Sequence, residues 1–370
     1  MRLKFPRAII ACLSIGLLVP PFAVALMLDE VSLPPGFDIK VFAAEVPNAR
    51  QIALGPNGVV FAGSREAGAV YRIRDDDGDF VADSVETILS GLYMPSGVAF
   101  KDGVLYVAEV HQVTAYDSPL RGFGEELGKR TVYADLPKDS HHGWKAIDFG
   151  PDGHLYVPVG APCNVCEVSK PYGSILKVDL DTGGTETYAQ GVRNSVGFAW
   201  HPLSKQLWFS DNGRDWMGDD IPGCEINRVD EPGQHFGFPY VHAAGIPDDS
   251  FTAPEGVKLA YPARVLGAHV APLGMLFYTG GQYPDEFRNR LFVAQHGSWN
   301  RTKKAGYNIM LAAIDDQNEV TSYKEFAGGW LKGQAHWGRP VDIEMLTDGS
   351  LLVSDDFAGV IYRISYEDKN

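Results

Sequence analysis

Histidine, arginine and aspartate gather in a few short clusters along this chain. They are His141-His142-Gly143-Trp144-Lys145, Arg193-Asn194, Asp211-Asn212-Gly213-Arg214, His296 with Arg301, Arg339, and Asp355-Asp356. A histidine that is neutral near pH 7 can take a proton from a substrate, and arginines can hold an anion through paired N–H donors. A separate run, Asp75-Asp76-Asp77-Gly78-Asp79 with Asp83 beyond, places hard oxygens around a glycine, a pattern that can wrap Ca²⁺. It does not have the twelve-residue EF-hand spacing, so Asp75, Asp77 and Asp79 are expected to hold at most a structural ion. Singly, each cluster has a plainer reading: a loop histidine such as His141, His235 or His242 is commonly a surface hydrogen-bonding group, and Arg193 or Arg339 could belong to a structural ion pair. Their common phase against a repeat argues otherwise.

The repeat is a short phrase occurring six times: from Gly55, Lys101, Gly150, Leu203, Phe287 and Thr347, as in G-P-D-G-H-L-Y-V-P-V-G. Each copy follows an apolar run, such as Gln51 to Leu54 or Val341 to Leu346, and several precede a third run, such as Ser174 to Val178. Strand, tight turn, strand, loop, strand at a period of about 45 to 60 residues predicts propeller blades. The fold is therefore expected to be all-β, a six-bladed β-propeller over residues 30–370, with the strand around Asp38 to Ala43 pairing into the last blade to close the ring. The longest gap, Asn212 to Pro272, reads as inserted loops. In a propeller, loops entering first strands and leaving second strands open on one face. That face collects every cluster above except the Asp75 to Asp83 run, which follows a third strand and lies on the turn face.

Composition sets the context. Forty-one glycines and 45 % hydrophobic residues in 370 suit many short strands. Arg2, Lys4 and Arg7 precede an apolar stretch ending in Ala23-Val24-Ala25, which reads as a signal peptide over 1–25, with an uncleaved anchor as the alternative. Removing it moves the formal charge from −15 to −18 and leaves no membrane-spanning segment. Such acidity disfavours nucleic acid as a partner. A periplasmic or secreted location permits disulfides, so Cys163 and Cys166 are expected to pair with each other, or one of them with Cys224. Cys163-Asn-Val-Cys166 is followed by Glu167, which excludes the C-x-x-C-H haem attachment motif.

The stretches H-H-G-W-K-A-I-D-F-G-P-D-G from His141, G-V-R-N-S-V-G-F-A-W from Gly191, S-D-N-G-R-D from Ser210, G-Q-H-F-G-F-P-Y from Gly233 and G-R-P-V-D from Gly338 resemble the glucose/sorbosone dehydrogenase family, whose members use pyrroloquinoline quinone (PQQ). The likeness spans nearly the whole chain beyond residue 25 and leans towards the L-sorbosone dehydrogenase-like branch. It implies that His142 is the catalytic base, that Arg193 and Asn194 contact the quinone, that the Gly213 and Arg214 carbonyls hold a Ca²⁺ beside it, and that Arg339 pairs with a cofactor carboxylate. The chain departs from the family pattern at Lys145-Ala146, at Val341 and near Leu92. Lys145, Arg301 or His296 could compensate, and Trp144 stands close by.

The chemistry is coherent on its own terms. Oxidising a sugar hydroxyl needs a base for the proton and an acceptor for hydride, and no side chain supplies the second. The resemblance thus implies oxidation of an aldose or sugar aldehyde, with PQQ and Ca²⁺ bound and electrons passed to an external quinone or small cytochrome. Two other classes fit the same pattern: a calcium-dependent lactone hydrolase using Asn194, Asp211 and Asn212, and a ligand-binding propeller without catalysis. Neither gives Arg193 with Arg339, or His142, a task.

Overall fold

The computed structural model describes residues 25–121, 127–243 and 245–368. The six phrases become the second strands of six antiparallel blades, and the apolar runs before them become the first strands. Blade 1 comprises Ala49–Leu54, Val60–Ser64, Val70–Arg74 and Ser84–Leu89, and blade 2 comprises Gly97–Lys101, Val104–Ala108, Val113–Asp117 and Gly128–Tyr133. Blade 3 comprises Asp148–Phe149, Leu155–Val159, Ser174–Val178 and Thr185–Gln190; blade 4 comprises Phe198–Trp200, Leu207–Asp211, Glu225–Arg228 and Arg264–Val265. Blade 5 holds Pro272–Phe277, Leu291–Gln295, Asn308–Ile314 and Val320–Ala327. Blade 6 holds Pro340–Met345, Leu351–Asp355 and Val360–Tyr366, and takes its fourth strand, Phe37–Ala43, from the start of the chain.

Second strands such as Leu155–Val159, Leu207–Asp211 and Leu291–Gln295 are buried at every position. Blades stack face to face, so both sides of a middle strand meet a neighbour, and the sequence reads as a continuous apolar run. The core is accordingly divided between blades: Tyr156 and Ile175 of blade 3 pack with Leu207 and Phe209 of blade 4, and Phe292 of blade 5 packs with Val353 and Tyr362 of blade 6. Asp102 and Gly103, both at positive φ, make the two-residue turn that joins the first strands of blade 2.

Ring closure follows the expectation. Phe37–Ala43 pairs antiparallel with Val360–Tyr366, and the Phe37 ring sits 4.7 to 5.1 Å from Tyr283, Phe287, Phe326 and Tyr366. The first strand of the chain thereby completes the last blade and fastens the two ends of the ring together. The expected signal segment lies outside the described residues except for residue 25; Leu26, Met27 and Leu28 already pack on the blade 5 and 6 core. No helix of the described residues is long and apolar enough to cross a membrane.

The gap from Asn212 to Pro272 needs correction, because it is more than inserted loops. It contains the third and fourth strands of blade 4, a short parallel strand, Gln234–His235, on the outer edge of blade 3, and a Val241–His242/Ile246–Pro247 hairpin. These strands are two to four residues long and carry Glu225, Asn227, Arg228 and Arg264, so no apolar run marks them.

Phe42, 1 % exposed on the closing strand, packs against Val46, Ile52, Leu352 and Ile361. Replacing it by alanine is expected to cost about 3 to 5 kcal/mol, measured by urea unfolding; a loss under about 1 kcal/mol would mean that the closing strand contributes little.

Candidate functional site

Five of the six blades contribute to a cavity of about 630 Å³ on the face where first strands begin and second strands end. Arg50, Arg65, Arg193, Arg339 and Lys304 line it, with His141, His142, His269, His296 and His336, against a single carboxylate, Asp215. The volume is that of a small-ligand site. The opposite mouth has the opposite chemistry: its cavity of about 490 Å³ is lined by Asp148, Asp342 and Glu344, whose carboxyls burial pushes up to about 6, 7 and 8. An anion is therefore directed to the first mouth only.

His142 is 8 % exposed and sits at φ 50° on the loop entering blade 3. Its Nδ1 lies 2.8 Å from the carbonyl oxygen of Ala161. A carbonyl can only accept, so Nδ1 carries the hydrogen and Nε2 keeps its lone pair. Burial, then Arg193, His141 and Lys145, push its pKa down to about 2, and the ring is neutral at pH 7. Gly160 passes so close that a Cβ there would lie 2.7 Å from the His142 Cβ, which fixes glycine at that position. The His141 ring stands 4.1 Å away, and Trp144 packs edge-on at 6.2 Å with the Arg65 guanidinium 4.5 Å over its face.

Asp211, the last residue of a second strand, places the next pair. Its carboxylate accepts the main-chain N–H groups of Arg193 at 2.8 Å and Asn194 at 2.6 Å. The Arg193 guanidinium donates to Asn164 O at 2.8 Å, Asn164 Oδ1 at 2.9 Å and Asn212 O at 3.0 Å, and meets Asp215 at 3.4 Å. It thereby ties the Cys163–Cys166 disulfide loop, which contains Asn164, to the loop after blade 4's second strand. Asn194 Oδ1, in contrast, is buried and has no hydrogen-bond partner.

Asp355-Asp356 does the same for the far wall. Asp355 accepts the Arg339 N–H at 2.9 Å. Asp356 accepts from Arg339 Nε at 3.0 Å, from His296 Nε2 at 2.9 Å and from Arg50 Nη1 at 3.1 Å. Burial alone would raise the Asp356 carboxyl, yet His296, Arg50 and Arg339 hold it far below the usual carboxylate range.

The structure thus brings His142, Arg193, Asn194, Arg339, Trp144, His296 and Gly213 around one cavity. Others of the expected set point elsewhere. Lys145 is buried beneath the wall, its Nζ donating to Gly143 O at 2.5 Å, and burial pushes it down to about 7. Arg301 turns outward to the Asp219 carbonyl and, at 2.9 Å, to Asp220. The Arg214 side chain pairs with Asp248 behind the cavity. Asp75 and Asp77 gather with Asp83, not with Asp79, whose Oδ1 accepts the Val81 N–H. Of the two cysteine pairings, the structure forms Cys163–Cys166, and Cys224 is a buried free thiol.

Sequence reasoning missed Arg50, Arg65, Lys304, His336 and Tyr307. Arg50 and Arg65 occupy the phase that singles out Arg193 and Arg339, at the start of a first strand and the end of a second, so the signal was present. Val341, which lacks the arginine the resemblance implies, packs with Val196 and Leu273, and Arg50 supplies a cation to the same wall.

The model of a family described as a domain of unknown function, DUF7133, matches residues 24–366. The chain belongs to the DUF7133 family. A relative from Borreliella burgdorferi, described as an uncharacterized protein, is 36 % identical over 354 residues, covering 92 % of each chain. A pyrroloquinoline quinone-dependent pyranose dehydrogenase from Coprinopsis cinerea is 23 % identical over 282 residues, covering 59 % of this chain and 37 % of that protein. Among solved structures, Trichoderma reesei Carbohydrate-Active Enzymes Family AA12, in its iodide form, is similar with TM-score 0.76 at 21 % identity, over 91 % of this chain and 98 % of that one. The PQQ-bound aldose sugar dehydrogenase of Streptomyces coelicolor gives TM-score 0.66 at 18 % identity, over 91 % and 100 %. At these identities the structural likeness establishes the six-bladed fold.

The depressed His142 pKa has a consequence for stability. The unfolded chain binds a proton at this histidine below about pH 6.5 and the folded chain does not, so its contribution is complete above that pH and declines as the pH falls towards 2. Imidazole NMR of wild-type protein, assigned with His142→Gln, is expected to show no His142 titration between pH 8 and pH 5; a midpoint near 6.5 would contradict the buried neutral tautomer.

Proposed function

We propose that this chain is a PQQ-dependent dehydrogenase of an aldose or sugar aldehyde, of the kind the sorbosone branch exemplifies. The observation that carries the reading is the convergence of a neutral His142 with four guanidiniums in one cavity of a chain whose formal charge is −15. The residues suit a polycarboxylated quinone: Arg339 uses only its Nε on Asp356, and the buried Oδ1 of Asn194 awaits a donor. Arg50, Arg339, Arg193 and Asn194 would hold the cofactor, and the Gly213 and Arg214 carbonyls a Ca²⁺ beside it. Gly213 runs close to its neighbour, since a Cβ there would lie 2.6 Å from the Gly223 carbonyl oxygen.

When bound, PQQ supplies the two-electron acceptor that no side chain offers. His142 takes the proton of the reacting hydroxyl at Nε2, while the Ala161 carbonyl keeps the ring in that tautomer and stabilises the imidazolium as it forms. Burial first, then Arg193 and His141, oppose that charge in the free protein, and a bound polyanion would offset the part due to Arg193 and His141. The wall of histidines and arginines also fixes the orientation of a polar substrate. Electrons leave to a separate quinone or small cytochrome. The disulfide is in keeping with an exported protein, periplasmic or secreted, with 1–25 as its signal.

The lactone hydrolase reading is weaker, because, of Asn194, Asp211 and Asn212, it needs the one anionic ligand, Asp211, free to bind metal. The Asp211 carboxylate is occupied by the main-chain N–H groups of Arg193 and Asn194.

Dye reduction and PQQ titration separate the assigned roles. His142→Ala is expected to lose about 10² to 10⁴-fold in turnover while keeping its affinity for PQQ. Arg339→Ala is expected to bind PQQ about thirtyfold more weakly. Wild-type turnover in His142→Ala, or wild-type protein that neither binds PQQ nor reduces dye with any aldose or sugar aldehyde, would overturn the reading.

A further inference from the structure

Trp216 and Trp299 are 69 % and 70 % exposed, on loops that leave the second strands of blades 4 and 5 on the cavity face. Their rings meet edge to face, with centroids 5.5 Å apart and planes at 81°. Folding gains little from side chains so exposed. Trp216 also sits at φ 70°, a conformation that is costly for a bulky residue and persists only where its surroundings impose it.

The surroundings here are stiff. Asn300 donates to Asp215 at 3.3 Å and Arg301 to Asp220 at 2.9 Å, so the two loops are cross-tied on either side of Trp216. Trp299 forms part of the cavity wall, whereas Trp216 stands outside it. Any one ligand that reaches both the cavity and Trp216 has to extend beyond the mouth.

We propose that the two tryptophans form a stacking subsite for a second sugar unit, so that the substrate is the end of an oligosaccharide rather than a free monosaccharide. This rests on the sugar-oxidation reading and specifies its substrate class. Apolar C–H faces of a sugar ring suit the exposed indole faces, and its hydroxyl donors suit the Asp215 and Asp220 carboxylates beside them. A docked protein is a poorer fit: two aromatic side chains bury about 300 to 500 Å², whereas a stable protein interface needs about 1,200 Å² or more.

The test is calorimetric titration of the full chain, with and without added PQQ, using glucose, cellotetraose, maltotetraose and xylotetraose. At least one tetrasaccharide is expected to bind about tenfold more tightly than glucose, and Trp216→Ala to erase that advantage. Trp216→Gly, which suits the positive φ, should do the same with an undiminished thermal midpoint, and Leu203→Ala, exposed on the opposite face, should change nothing. Tetrasaccharides no tighter than glucose, or an advantage that survives both Trp216 variants, would overturn the subsite. Loss of cytochrome c binding in Trp216→Ala with tetrasaccharide binding intact would overturn it in favour of protein docking. Because sugar binding in the arm without PQQ needs no turnover, its outcome is independent of whether the protein reduces dye.

Discussion

A single buried carboxylate, Asp356, stands beneath the cation-rich mouth, and the arrangement above it depends on its charge. Arg50 of blade 1, His296 of blade 5 and Arg339 of blade 6 all converge on its two oxygens, so one residue links three blades next to the ring seam. Arg50 is fully buried and has no other acceptor among the described residues, and leaving such a charge unpaired costs about 3 to 5 kcal/mol. The carboxylate must therefore remain ionised. Its two oxygens are outnumbered by the donors around it, and the surplus positive charge faces the cavity.

The proposed base stands in the same mouth under its own pressures. Burial first, then Arg193, His141 and Lys145, lower the basicity of His142. In the proposed reading a bound polyanion would offset the Arg193 and His141 part of that depression and leave the burial part in place. The opposite mouth is lined by Asp148, Asp342 and Glu344 and, among the described residues, by no lysine or arginine, so it offers an anion no counter-charge. The Asp211 and Asp355 carboxylates contribute geometry instead, each accepting main-chain N–H groups of the loop that presents an arginine.

The ring was legible because its signal is periodic. Asp-Gly or Asn-Gly turns such as Asp102-Gly103 recur in four of the six blades and apolar second strands in all of them, and the closing strand was required once the edges were counted. Blade 4's outer strands were not legible, being short, polar and held by position in the stack. For the site, phase was enough to place His142, Arg193, Asn194, His296 and Arg339 on one mouth, and applied evenly it would have added Arg50 and Arg65. Phase does not encode side-chain direction. Arg301, Lys145 and Arg214 share it, yet local partners at Asp220, Gly143 and Asp248 draw them away. The aspartate run shows the same limit: which carboxylates gather depends on Asx turns, and Asp79 is engaged by Val81 while Asp83 folds back to the Asp76 N–H.

The central claim, that this mouth is built to hold a polycarboxylated quinone, is tested most directly by equilibrium titration of PQQ into the purified wild-type chain. The expected result is saturable binding of one PQQ per chain with Kd of about 1 μM or tighter, weakened by added salt. No saturable binding, or binding indifferent to salt, would contradict it.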